Sequence, residues 1–261
     1  MPTTTNGDVT LYYGTDGSGE TVTFVGDVGF GSWQWAWQYD GLAGPYETLV
    51  WDLRGTGRSD SPSGPYDVDT LASDLEAVLA ANAVRRTHLV GAGLGGMVAL
   101  RYAREYTRAG TLTLFGPAPR GSAVHSDAAR ALHPEERTAT ALERSLTGAF
   151  SEAFLESNDS ILSQIETWRR EADADPDGVL AQLAAMTSFE AGPLYELTLP
   201  ALVCHGLEDP VVDVDVGRSV ARDLPKGQFE AIEGKRLCFV EHARAVTDRL
   251  DGFFLDNGFP D

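Results

Sequence analysis

Thr87-His88-Leu89-Val90-Gly91-Ala92-Gly93-Leu94-Gly95-Gly96-Met97-Val98-Ala99-Leu100-Arg101-Tyr102-Ala103 is the stretch whose reading decides the fold. A short apolar run leads into a glycine cluster, and apolar residues at helical spacing follow. The pattern predicts a strand, a tight turn and a helix starting near Gly95. A chain that reverses within about three residues needs backbone angles that only small residues reach cheaply, and Gly91, Gly93, Gly95 and Gly96 supply them. This is the architecture of the Gly-x-Ser-x-Gly elbow, whose central side chain is thrust up beside the N-terminus of the following helix. The central residue here is Gly93. The chain builds the pedestal for a nucleophile and puts no side chain on it.

Working outward, Thr21–Val25 and Glu47–Trp51 are β-branched or aromatic runs that read as strands buried on both faces. Between them lie the loop Gly26–Ser32 and a short helix after Trp33, Trp35 and Trp37. Val9–Tyr13 reads as an edge strand followed by a turn cluster at Gly14–Gly19, and Asp67–Val84 as a helix capped by Asp67 or Asp69. Beyond the elbow, Gly110–Phe115 is a further strand. Pro134–Leu146, Phe150–Ser157, Ile161–Arg170 and Val179–Ser188 then read as amphipathic helices with no strand between them. Alternation resumes with the strand Pro200–Gly206, the helix Asp213–Leu224, the strand Gly227–Ile232 and the helix His242–Leu255. Such alternation implies a doubly wound, mostly parallel sheet of about eight strands, with functional groups in loops at the strands' C-terminal ends. Residues 1–116 and 198–261 are expected to form this core, and 117–197 a helical cap inserted over it.

The 261 residues include 20 basic and 39 acidic ones, a net charge of −19 that argues against nucleic acid or an anionic membrane as partner. Lys226 and Lys235 are the only lysines, and the acids are scattered along the whole chain. A halophilic origin is the expectation, since concentrated salt screens such self-repulsion. Thermal melts should then show a midpoint that rises from low to molar potassium chloride, and an unchanged or falling midpoint removes the halophile reading. The N-terminal sequence has no signal-like apolar region, and no apolar run is long enough to span a bilayer, so a cytoplasmic location is expected. Cys204 and Cys238 read as two buried free thiols.

Four stretches together resemble the α/β-hydrolase superfamily: Phe24-Val25-Gly26-Asp27 through Trp33, the Asp52-x-Arg54-Gly55-x-Gly57-x-Ser59 loop, the elbow, and His205-Gly206-x-x-Asp209-Pro210-Val211-Val212. The resemblance runs from about Val9 to Phe254 and implies the α/β-hydrolase fold. It also implies three catalytic groups: a serine on the elbow, a histidine that takes its proton, and an acid that orients the histidine. The elbow position is Gly93, the acid position matches Asp209, and the base position falls on Leu237. The oxyanion loop carries Gly26-Asp27 where the family commonly has His-Gly, with Asp27, Val28, Leu94 and Trp33 expected around the site. A carboxylate there would oppose a developing oxyanion unless it turned away. His88, His205 and His242 look structural in the family, while His125 and His133 are placed to approach the cleft from the insertion. Lys235 and Arg236 read as a solvated pair. Glycine at position 93 relieves elbow strain, so Gly93→Ser is expected to cost only about 1–3 kcal/mol, with Leu237→His supplying a base.

Three functions follow from these residues. The first is a protein without serine-hydrolase activity that binds a small apolar ligand. The second is an enzyme of another type, a lyase, cyclase or cofactor-free oxygenase, using Asp27, Asp209 or a tyrosine for proton transfer. The third is a weak hydrolase in which Asp209 activates water. A small-molecule ligand or substrate is expected, with no cofactor and no metal.

Overall fold

The computed structural model describes residues 2–259, so the ends of the expected core at residues 1, 260 and 261 lie outside the described residues. Strands are β1 (Thr3–Asn6), β2 (Val9–Gly17), β3 (Glu20–Val25), β4 (Tyr46–Trp51), β5 (Thr87–Ala92), β6 (Ala109–Phe115), β7 (Ala201–Gly206) and β8 (Gly227–Ile232). They form a single sheet in the order β1-β2-β4-β3-β5-β6-β7-β8, antiparallel at β1/β2 and β2/β4 and parallel elsewhere. The expected turn at Gly14–Gly19 is strand as far as Gly17, because Tyr13–Gly17 pair antiparallel with Glu47–Trp51. Cross-strand hydrogen bonding there outweighs the local turn preference.

Flanking the core are α1 (Ala36–Leu42), α2 (Val68–Ala81) and α3 (Leu94–Glu105). Asp67 caps α2 by accepting a hydrogen bond from the Thr70 amide at 2.7 Å. Between β6 and β7 the chain runs through α4 (Ser126–Ala131), α5 (Ala139–Leu146), α6 (Glu152–Ser157), α7 (Asp159–Ala172) and α8 (Pro176–Ser188). Helix α4 was not expected from the sequence, and α5 starts five residues later than Pro134, where Thr138 caps it by accepting from the Ala141 amide. The chain ends with α9 (Val214–Asp223), α10 (Cys238–Glu241) and α11 (Ala243–Asp256). No helix among the described residues is long and apolar enough to cross a membrane.

The central strands carry the core. All six residues of β5 and five of six in β3 are buried, as both-face coverage of a parallel sheet requires. Helix α3 begins so close to the end of β3 that a Cβ on Gly95 would lie 2.3 Å from the Val25 carbonyl oxygen. That approach brings the first turn of α3 against the loop after β3, where the candidate site forms.

Candidate functional site

Gly93 joins β5 to α3 with φ +48° and ψ −108°, a conformation strained for a residue with a Cβ. Its amide donates to the Phe115 carbonyl at 2.9 Å and its carbonyl accepts from the Met97 amide at 3.1 Å, pinning the turn to β6 and to the helix. The elbow backbone is therefore present with no side chain at its apex.

The space above the apex is filled by charge. Asp27 Oδ1 accepts from the Val28 amide at 2.7 Å and the Leu94 amide at 2.9 Å. These are the two amides expected to stabilise an oxyanion, at distances suited to that task. The carboxylate expected to oppose an oxyanion instead occupies the oxyanion's place, and the N-terminal end of α3 favours its negative charge. Asp27 Oδ2 accepts from Arg236 Nε at 2.7 Å. Arg236 Nη1 donates to Asp209 Oδ2 at 2.8 Å and to the Gly116 carbonyl at 3.2 Å. Asp209 Oδ1 accepts from the Val211 amide at 2.8 Å and the Val212 amide at 3.3 Å. The three side chains are only 1–2 % exposed. Burial alone would push the Arg236 guanidinium down, but the Asp209 and Asp27 carboxylates outweigh it and hold it above its ordinary value.

The side chain that meets Asp209 is that of Arg236, while Leu237, expected at the base position, donates its amide to the Ala149 carbonyl and is fully buried in the core. Arg236 is 4 % exposed and not a solvated cation. A Cβ on Gly93 would lie 2.0 Å from both Arg236 Nη2 and Asp27 Oδ1, so Gly93→Ser must displace the ion triad as well as strain the turn. Nη2 has no hydrogen-bond partner among the described residues and lies directly over Gly93.

Aromatic residues pack together nearby. Trp35 stacks on Phe239 at 4.4 Å and contacts Phe115 at 5.8 Å and Phe24 at 5.2 Å. Trp33, expected around the site, donates its Nε1 to Asp173 Oδ1 at 2.7 Å, and its ring stacks with Trp168 of α7. Within the insertion Arg169 Nε and Asp173 Oδ2 form a second buried ion pair at 2.7 Å, and Asp173 Oδ1 joins the insertion to the loop after β3 by also accepting from the Gly31 amide at 3.1 Å. Gln182 of α8 adds a further clasp. It accepts from the Gly29 amide at 2.7 Å and donates to the Arg54 carbonyl at 2.9 Å and Thr56 Oγ1 at 2.6 Å. The Asp52–Ser59 loop is thus structural, with Arg54 forking onto Asp74 and Ser59 Oγ donating to the Asp52 carbonyl.

The histidines offer no replacement base. His125 is exposed near Asp213, whereas His133 is buried against Phe30, with its pKa pushed well down by burial and then by Arg169 and Arg137. His205 Nε2 meets the Val212 carbonyl at 2.8 Å, and burial lowers its pKa. Cys238 is a buried thiol whose pKa burial raises, with Asp209 and Glu241 adding to that, so it is no activated nucleophile. Arg236 escaped sequence reasoning, although one signal existed. An acid appears at position 27 and a cation at position 236 in the same chain that has glycine at 93, and the three changes complement one another only in space.

Known proteins match this arrangement of strands and loops over most of its length. The chain is 25% identical over 256 residues, 95% of its length and 94% of the relative's, to 3-oxoadipate enol-lactonase 2 of Acinetobacter baylyi. A putative carbamate hydrolase of Azorhizobium caulinodans is 33% identical over 103 residues, 40% of this chain and 39% of that one. Among solved structures, an enol-lactonase from Burkholderia xenovorans superposes with a TM-score of 0.87 at 22% identity, covering 97% of this chain and 100% of that one. A thermophilic esterase from Thermogutta terrifontis gives 0.84 at 23% identity, covering 96% and 95%. The model of the alpha/beta hydrolase family matches residues 24–249, a span that takes in the loop bearing Asp27, the Gly93 elbow, Asp209 and Arg236, and the chain belongs to that family.

Proposed function

We propose that this protein is a non-hydrolytic member of the α/β-hydrolase family, in which the acyl-transfer centre has become a structural ion triad, and that it acts by binding a small apolar ligand. The observation that carries this reading is the Asp27 carboxylate on the Val28 and Leu94 amides, the position a reacting carbonyl oxygen would need. Its similarity to lactonases and esterases indicates a fold suited to ester carbonyls, and Gly93 removes the attacking atom. The alternative, proton transfer by Asp209 or Asp27 in lyase, cyclase, oxygenase or weak hydrolase chemistry, is less well supported. Both carboxylates are paired with Arg236 and hydrogen-bonded to backbone amides, so neither is a free base. Asp52, whose pKa burial raises, is held by the Ser32 and Arg58 amides.

A fluorophosphonate probe should leave the protein unlabelled, and p-nitrophenyl acetate should turn over no faster than in buffer. Labelling at a serine such as Ser32 or Ser59, together with ester turnover, would overturn this reading.

A further inference from the structure

A groove of about 630 Å³ runs between α4 and α5 on the helical insertion. Its lining includes none of Asp27, Gly93, Asp209 and Arg236, and only Pro210, beside Asp209, comes from the core. Helix α4 packs on α8 and α5 on α7, and the faces they leave toward each other line the groove. Ala128, Ala131 and Leu132 recur at three and four residues on one wall, and Thr138, Ala141 and Arg144 at three on the other. Two observations give this largely apolar space a charge. The chain holds 39 acidic residues against 20 basic ones, yet among the described residues no carboxylate lines the groove. Arg144 is its charged lining residue, and that guanidinium pairs with no carboxylate among the described residues. Lys235 reaches the same end, its Nζ donating at 2.7 Å to the carbonyl of Thr147, which also lines the groove. The last carbonyls of α5 are taken up by donors, which reduces their repulsion of an anion: that of Arg144 accepts from Thr147 Oγ1 at 2.8 Å, and that of Leu146 from the Ala149 and Phe150 amides at 2.9 Å.

We infer that the groove between α4 and α5 binds a free, medium-length straight-chain carboxylate, its tail along Ala128, Ala131, Leu132 and Ala141 and its head at Arg144. The eight residues of α5 make that wall about 12 Å long, which suits an extended chain rather than a single ring. The tail gains by leaving water, and an unpaired arginine in a lining free of carboxylates selects an anion. A carboxylate in particular matches the planar fork of the guanidinium. The inference rests on the reading of this protein as a binder of a small apolar ligand, and adds the site and the charged head. It can fail by itself, because ester turnover tests the loss of hydrolysis and calorimetry tests the groove.

Isothermal titration of the full chain with decanoate at constant salt should show one saturable site. Octanoate, two methylenes shorter, should bind about 4–15-fold more weakly. Arg144→Glu, which exchanges attraction for repulsion, should weaken decanoate by about 5–20-fold while leaving the affinity for 1-decanol unchanged. Ala128→Trp and Ala141→Trp fill the groove from opposite walls, so each should abolish binding, and having one on each helix keeps the test valid if either disturbs folding. Absence of saturable decanoate binding overturns the inference. So does binding that persists in a folded tryptophan variant, since the ligand would then sit elsewhere, or an Arg144→Glu variant that leaves decanoate affinity unchanged or weakens decanoate and 1-decanol equally.

Discussion

Arg236→Leu should lower folding stability by about 3–5 kcal/mol, the usual penalty for removing one partner of a buried ion pair. The guanidinium serves Asp27, Asp209 and the Gly116 carbonyl, so its loss strands two buried carboxylates and a carbonyl at once. Hydrophobic gain from leucine is small beside that, because the space is lined by oxygen atoms. Urea unfolding at pH 7 measures the effect. Adding Asp27→Asn, which keeps an oxygen for the Val28 and Leu94 amides while removing one charge, should recover part of the loss with a coupling of about 0.5–3 kcal/mol. An Arg236→Leu midpoint equal to the parent's would mean that both carboxylates reach water in solution, contrary to their burial here.

The second large effect is on activity. Gly93→Ser alone should fold poorly and catalyse nothing, because the new Cβ meets Arg236 Nη2 and Asp27 Oδ1 at 2.0 Å. Its cost combines the turn's strain of about 1–3 kcal/mol with disruption of the triad. Combining Gly93→Ser with Asp27→Gly and Arg236→His changes the balance. Removing the Asp27 side chain frees the Val28 and Leu94 amides, and an imidazole at position 236 faces Asp209 without filling the apex. Hydrolysis of p-nitrophenyl acetate should then rise by about 10²-fold or more over the parent, the scale that a positioned general base supplies. Leu237→His in place of Arg236→His should give no such gain, since Leu237 packs in the core and Arg236 is the side chain that meets Asp209. A folded triple variant that stays at the buffer rate would show that position 236 does not correspond to the family's base.

The two variants share a physical origin. A buried ion triad is retained when every lone pair and proton in it finds a partner, and here the oxyanion amides, the turn at Val211 and Val212 and the Gly116 carbonyl supply nearly all of them. Only Arg236 Nη2 is left over among these groups. Glycine at position 93 makes the packing possible, because any Cβ there would occupy the guanidinium's volume.

Sequence by itself determined the fold. Continuous β-branched runs specify strands buried on both faces, and the glycines around position 93 specify an elbow, because both are local constraints of sterics and burial acting within a few residues. Gly93 and Asp209 were legible for the same reason, each being fixed by its place in a short motif. Register around position 236 was not: after β8 the chain passes through an irregular segment, Glu233–Leu237, and no periodicity tells which side chain turns inward. Nor does the sequence signal the hydrogen bond from Trp33 to Asp173, which joins the loop after β3 to the insertion. Only the tertiary structure decided that Asp27 and Arg236, 209 residues apart, would neutralise each other over Gly93. The physical reason is that a buried charge is tolerated only beside its partner, and which partner is near depends on how the whole sheet brings its strand ends together.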